Sequence, residues 1–134
     1  MSIMKKITFI LLSLFLFASC TSDQNTIITE KFSLINVSGG FAGINENFAE
    51  GDIIWTFNSQ NTTLTVEKNI QNVFSGLSEG NYSYYVQNIN DKQYIFINNI
   101  ESGGVTNEEN RMIIDENEQS TGSGADGFIY QLEK

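Results

Sequence analysis

The sequence predicts an all-β fold for residues 30–134, a single antiparallel meander of eight strands that closes as a small barrel. Short runs of five to seven residues alternate apolar and polar side chains, which is the period of a strand with one buried face. Aromatic and β-branched residues are frequent, and Gly, Asn and Asp separate the runs. Proline is absent, and no convincing helical period follows residue 30.

The second and third runs form the clearest pair of strands. Ile53, Trp55 and Phe57 lie on one face of the second run, and Leu64 and Val66 lie on the inner face of the third. The link between them, 58–61, is rich in Asn and is short enough for a hairpin turn. The eight predicted strands are 31–37, 52–57, 62–68, 82–87, 93–97, 101–106, 111–115 and 128–133.

The later strands show the same alternation with one exception. Residues 93–97 are apolar on both faces, so the sequence leaves open whether Ile95 and Ile97 or Tyr94 and Phe96 point inward. The residues predicted to share a face in the other later runs are Tyr82, Tyr84 and Val86, then Met112 and Ile114, then Phe128, Tyr130 and Leu132.

Closure into a barrel is expected because it leaves no exposed strand edges. A sandwich of two sheets is the alternative. The long loop that follows the first strand, 39–51, offers a place for one turn of helix at 45–50.

The first twenty residues have the pattern of an export signal. Lys5 and Lys6 precede an apolar run, 7–17, that is too short to span roughly 30 Å of hydrocarbon, and Ala18 and Ser19 are the small residues of a cleavage site. The segment Phe17-Ala18-Ser19-Cys20 resembles the lipobox of bacterial lipoproteins. A plain signal peptide with an incidental cysteine is the alternative.

That resemblance implies removal of residues 1–19, acylation of Cys20 with palmitate and other chains, and a flexible tether at 20–29. It also implies sorting to the bacterial outer membrane, because Thr21 replaces the Asp that marks inner-membrane retention; the face of that membrane stays open. Several acyl chains on one residue give stable attachment, at about 0.8 kcal/mol per buried CH₂. Cys20 is the only cysteine, so no disulfide framework is expected.

The charge of the chain after the signal excludes some partners. Removing Lys5 and Lys6 leaves five basic residues against sixteen acidic ones, a net charge of 5 − 16 = −11. Nucleic acids require clustered Lys and Arg, so they are not expected partners. The membrane is the expected partner, through the lipid on Cys20, and we expect a monomer without a cofactor.

The strand pattern resembles that of small lipocalin-like β-barrel lipoproteins of Bacteroidetes. The similarity implies an eight-strand barrel with room for its own side chains or for one small ligand. It covers most of residues 30–134 and depends on Phe32-Ser33-Leu34-Ile35, Ile53-Ile54-Trp55-Thr56-Phe57, Thr63-Leu64-Thr65-Val66, Gly80-Asn81-Tyr82-Ser83-Tyr84 and Met112-Ile113-Ile114-Asp115.

Two motifs near the C-terminus match known binding sites only in part. Residues 122–127 match Gly-x-Gly-x-x-Gly, but a strand follows instead of a helix, so a flexible hairpin loop is predicted and not a dinucleotide site. Asp115, Asn117 and Asp126 fall at the spacing of calcium ligands, but Ser120 occupies the position that requires Gly. We expect a solvated acidic turn without a metal there.

The aromatic residues are the candidates for a ligand-binding site. They either line a cavity for a small apolar or glycan ligand or form a filled core, and the second case favours a protein-interaction or structural module. Phe41 and Phe48 are the candidate lid, because apolar side chains in a polar loop are expected to pack on the domain. Without His or a free thiol, we do not expect an enzyme. The candidate lining residues are Trp55, Phe57, Tyr82, Tyr84, Phe128 and Tyr130.

Overall fold

The computed structural model describes residues 29–134, which contain eleven strands. The predictions for the signal 1–19, for Cys20 and for the tether as far as residue 28 lie outside the described residues. Thr29, which the sequence assigned to the tether, begins the first strand. Within residues 29–134 no helix could cross a membrane. The strands are β1 Thr29–Gly39, β2 Ile44–Asn47, β3 Ile53–Asn58, β4 Thr63–Lys68, β5 Gly80–Ile89, β6 Lys92–Ile97, β7 Ile100–Asn107, β8 Arg111–Asp115, β9 Glu118–Gln119, β10 Gly122–Ser123 and β11 Phe128–Glu133.

Eight of these strands form a closed antiparallel barrel. The ring runs β1, β3, β4, β5, β6, β7, β8 and β11, and β11 pairs again with β1, where Leu34 lies opposite Leu132. Each predicted strand corresponds to one strand of the ring. The predicted eight-strand barrel is therefore confirmed, and the sandwich alternative is wrong, because the first and last strands pair with each other instead of ending two separate sheets.

One strand of the same sheet, β2, lies outside the ring and was not predicted from the sequence. The first half of β1 pairs with β3, and after a bulge at Ile35 the second half pairs with β2, so that Asn36 lies opposite Asn47. The Asn36 side-chain amide donates hydrogen bonds to Oδ1 of Asn45 and of Asn47, at 2.8 and 3.0 Å. The predicted helical turn at 45–50 is wrong, since most of this segment satisfies the backbone groups of β1 that β3 leaves unpaired.

The barrel interior is filled by the inward faces that the sequence predicted. Trp55, Leu64 and Ile114 are fully buried there. The open question about β6 is resolved, because Ile95 and Ile97 join this core while Tyr94 and Phe96 lie on the other face of the strand. Within residues 29–134 the core is formed by Phe32, Leu34, Val37, Phe48, Ile53, Trp55, Phe57, Leu64, Val66, Ile95, Ile97, Val105, Met112, Ile114, Tyr130 and Leu132.

The two ends of the barrel differ. At one end the β4–β5 connection folds over the interior, with Ile70, Val73 and Leu77 packed against the core. Ser75 in this connection is buried, and its hydroxyl donates to the Leu77 carbonyl oxygen. The other end is where β1 begins and β11 ends, and it is open.

A small hairpin of β9 and β10 lies on the outer surface beside β7. The Glu101 carboxylate of β7 accepts hydrogen bonds from the amide and the hydroxyl of Ser120, and Glu118 forms an ion pair with Lys92. Residues 122–127, predicted as a flexible loop, therefore begin with a short paired strand.

Candidate functional site: the mouth cavity

The open end of the barrel contains a cavity of about 280 Å³, which we call the mouth cavity. Its volume is just below the roughly 300–1,000 Å³ that is typical of ligand pockets, so it suits a small molecule or one end of a longer one. Seven apolar or aromatic side chains form its floor and walls, and five polar ones surround its opening. The lining residues are Phe32, Phe57, Tyr84, Val86, Ile95, Val105 and Met112, with Glu30, Gln93, Asn107, Glu108 and Lys134.

The wall beside the mouth cavity has a gap. β4 pairs with β5 only through residues 80–83, and the last bond on that side joins the Tyr84 amide to the Thr62 carbonyl oxygen. Residues 85–89 have β6 as their strand partner and no other among residues 29–134. Val86, which lines the cavity, is 45% exposed through this gap. A ligand can therefore reach the apolar floor without any strand separating.

An ion pair lies at the opening. Nζ of Lys134 is 2.8 Å from Oε1 of Glu30, and it lies 5.3 Å from the centre of the Phe32 ring. The second distance is within the roughly 6 Å at which a cation is attracted to an aromatic ring. Closure of the barrel produces this contact, since the two charged residues are at the start of β1 and just after β11.

The opening has more negative than positive charge. Glu30 and Glu108 line it against one cation, Lys134. Glu108 forms no ion pair within residues 29–134, although it contributes to the raised pKa of Arg111, whose first cause is the hydrogen bond with Glu133. Burial raises the pKa of Tyr84, and the charge of Glu30 raises it further. The electrostatic potential at the mouth thus disfavours anions.

The six predicted lining residues do not share one cavity. Phe57 and Tyr84 line the mouth cavity. Trp55 and Tyr130 lie deeper in the barrel, beside a void of about 30 Å³. Tyr82 and Phe128 lie towards the closed end, where the Tyr82 hydroxyl donates to the Ser78 carbonyl oxygen and the Phe128 ring packs on Phe74.

The interior beneath the mouth cavity is packed. The deeper void has room for about one water molecule. Trp55 Nε1 is buried there without a hydrogen-bond partner among residues 29–134. The Tyr130 hydroxyl donates to the Glu116 carboxylate at 2.8 Å. Of these two spaces, only the mouth cavity can therefore hold a ligand larger than water.

The two candidate lid residues behave differently, and neither lines the mouth cavity. Phe48 is buried and belongs to the core, and its amide donates to the Ile35 carbonyl oxygen. Phe41 is 93% exposed in the turn between β1 and β2. The expectation that both side chains pack on the domain is wrong for Phe41, because the turn projects it into solvent.

The candidate calcium ligands are used to hold the β8–β11 connection. Asp115 Oδ1 accepts hydrogen bonds from the amide and the side chain of Asn117, and the Asn117 side chain exchanges two hydrogen bonds with the Gly127 backbone. Asp126 is a turn residue with φ of 61°. Among residues 29–134 no three Asp or Glu side chains are placed to hold a metal ion.

Sequence reasoning missed the charged residues of the mouth. Glu30 could have been found, because it lies two residues before Phe32 and therefore on the same face of a strand. Lys134 could have been found in the same way, because it lies two residues after Leu132. Glu108 lies in the β7–β8 turn, where alternation does not apply.

Comparisons of the chain with models of protein families, with curated proteins and with solved structures gave no match.

Proposed function

We propose that this protein is a lipid-anchored envelope protein of a bacterium whose barrel binds a small, largely apolar ligand in the mouth cavity. The single observation that supports binding is an accessible apolar cavity at one end of an otherwise packed barrel. Because its lining supplies shape and a few polar groups, the role is capture or carriage of a molecule and not catalysis.

The anchor in this proposal is based on the leader sequence alone. The run from Lys5 to Cys20 has the order of charge, apolar core, small residues and cysteine that lipoprotein signals have. Outer-membrane attachment is part of the proposal and is based on Thr21. Cys20 precedes Thr29 by nine residues, which span at most roughly 30 Å.

The position of the mouth cavity connects the lipid anchor with ligand binding. The mouth cavity opens at the end of the barrel where β1 begins, and the chain from Cys20 enters at that end. An anchored barrel would hold its opening within the reach of that short segment from the membrane surface. A ligand that partitions into lipid would thereby be concentrated near the opening.

The anchor is tested by expressing the full chain in a bacterium that processes lipoproteins and labelling it with palmitate. We expect label on the wild type, none on Cys20→Ser, and unchanged labelling of the neighbouring Ser19→Ala control. Equal labelling of the wild type and Cys20→Ser would disprove acylation at this residue.

Binding is tested on the chain from Thr21 onward, whose fold is checked by cooperative thermal unfolding. We expect 1-octanol to shift amide NMR signals of residues around the mouth cavity and to leave those of the β4–β5 connection unchanged. Val105→Phe fills the cavity and should abolish the shifts, whereas Val73→Phe at the closed end should retain them. Octanol-dependent shifts that survive Val105→Phe would refute this site.

A second candidate function is a protein-interaction module, and one observation favours it. The free edge of β5 at residues 85–89 has no charged residue and exposes Tyr85 and Val86. Unprotected edges of this kind accept an added strand. Crosslinking of the anchored protein in cells tests this function, and recovery of monomer alone would count against it.

A further inference from the structure

The mouth cavity contains the elements of a site for an organic cation. We propose that its ligands carry an alkylammonium group, and that this group takes the place that Lys134 Nζ occupies between Glu30 and Phe32. This inference rests on the proposed binding function and adds the chemical class of the ligand. It also gives Lys134 a role, that of an internal competitor for the site.

The chain itself shows that the opening accommodates an ammonium group. Lys134 Nζ is held by the Glu30 carboxylate at 2.8 Å and lies 5.3 Å from the Phe32 ring centre. The Lys134 side chain is 41% exposed, so its release into solvent requires no rearrangement of the strands. An incoming ammonium finds a carboxylate and an aromatic ring already in position.

Aromatic rings continue from this point into the cavity. Phe57 lies edge-on to Phe32 at 5.9 Å between ring centres, and Tyr84 lies edge-on to Phe57 at 5.1 Å. Clusters of aromatic rings are the usual environment for quaternary ammonium ligands in proteins. Below them, Ile95 and Met112 offer an apolar surface for the alkyl part of the same molecule.

The balance of charge favours a cation over an anion. When a ligand ammonium displaces Lys134, it faces two carboxylates, Glu30 and Glu108, and the displaced lysine regains its hydration. An anion at the same place would face those two carboxylates with one cation that is already paired. The raised pKa of Tyr84 has the charge of Glu30 as its second cause, which places the negative potential at the aromatic wall.

The experiment compares three ligands that share one alkyl chain: octyltrimethylammonium, 1-octanol and octyl sulfate, each below its micelle concentration. Titration calorimetry and amide NMR shifts are recorded on the chain from Thr21 onward. We expect the cation to bind about threefold to tenfold more tightly than the alcohol, and the sulfate to bind most weakly.

Two substitutions test the roles of Lys134 and Glu30 separately. Lys134→Gln should tighten binding of the cation by about threefold or more, and by more than it changes binding of octanol, because the internal competitor is gone. Glu30→Gln should weaken binding of the cation by a similar factor. Lys31→Gln and Glu67→Gln, at exposed positions outside the cavity, are the matched controls and should change neither.

The outcomes distinguish failure of the cation site from failure of the proposed binding function. Equal affinities for the three ligands, or no effect of Lys134→Gln and Glu30→Gln, would overturn the cation site while binding in the mouth cavity stands. Shifts from none of the three ligands would remove both. Preferential binding of octyl sulfate would also refute the inference, because it requires a positive potential at the opening.

Discussion

The Tyr130 hydroxyl donates a hydrogen bond of 2.8 Å to Oε1 of Glu116, and Oε2 of the same carboxylate accepts one from the Phe128 amide at 2.9 Å. A carboxylate from the β8–β11 connection is thus fixed to the strand that closes the barrel. Burial raises the pKa of Tyr130 strongly, and the charge of Glu116 and this hydrogen bond raise it further.

The raised pKa of Tyr130 predicts a loss of stability in alkali. Above the ordinary value of 10.0, the unfolded chain releases the Tyr130 proton and the folded chain retains it, so the free energy of unfolding falls as pH rises. We expect Tyr130→Phe to cost about 1–3 kcal/mol near neutral pH, because the carboxylate loses a partner. The variant should then lose less stability than the wild type between about pH 9 and pH 11.

Urea unfolding near neutral pH and at about pH 9 and pH 11 measures these differences in the free energy of unfolding. Glu116→Gln is the companion variant, because it removes the charge and keeps an acceptor for the hydroxyl; its pH dependence should lie between those of the wild type and Tyr130→Phe. Parallel pH curves for the wild type and Tyr130→Phe would contradict the assignment.

A second prediction concerns two glycines with positive φ that differ in their surroundings. Gly103 in β7 has φ of 125°, and a Cβ there would lie against the Asp115 carbonyl group of β8. Gly43 has φ of 63° and open space around it. We expect Gly103→Ala to lower the free energy of unfolding by about 2–4 kcal/mol and Gly43→Ala by only about 1 kcal/mol. Equal losses in urea unfolding would show that β7 and β8 tolerate separation at this point.

The parts of the fold that could be predicted from the sequence are those that leave a local pattern in it. The ring strands were predictable because each has one face in the core, so Trp55 and Phe57 alternate with Thr56 whatever their partners are. β2 was not predictable, because Asn45, Glu46 and Asn47 have no apolar alternation and pair only with an edge that a bulge in β1 exposes.

The pairing of charges at the mouth was beyond sequence reasoning for a related reason. Glu30 and Lys134 are 104 residues apart, and only closure of β1 on β11 brings them together. Likewise, the aromatic residues predicted to line one cavity are distributed over three levels of the barrel, because alternation indicates the inward face and not the depth along the axis. Depth depends on the stagger between strands, which no local pattern encodes.

A third prediction concerns the outer hairpin of β9 and β10. Because Glu101 accepts both the amide and the hydroxyl of Ser120, Glu101→Ala should release the hairpin from β7. Loss of hydrogen bonds to a charged group, about 1.5–3 kcal/mol, should speed amide hydrogen exchange in residues 118–123 by about tenfold to a hundredfold. Since the hairpin lies outside the ring, the exchange of core strands should be unchanged. Glu109→Ala, in the β7–β8 turn, is the control, and faster exchange throughout the barrel would show that the hairpin supports the ring.

The last prediction concerns a pair of aromatic rings outside the barrel. Tyr85 of β5 lies opposite Phe96 of β6, and their rings stack with centres 4.7 Å apart and planes 4° from parallel. This pair lies on the part of β5 that has no β4 partner, where β6 is the strand that holds it. Stacked pairs contribute about 0.5–1.5 kcal/mol beyond their buried area, so we expect a coupling of that size between Tyr85→Ala and Phe96→Ala in a double-mutant cycle.

A second double-mutant cycle distinguishes a local from a general effect of Tyr85→Ala. Tyr85→Ala combined with Ile113→Ala, a half-buried position on β8 that does not pair with β5, should give additive losses. Because the stack supports the free edge beside the mouth cavity, its loss should also broaden the amide NMR signals of residues 85–89. A coupling near zero with unchanged signals would mean that the backbone bonds to β6 alone hold this edge in place.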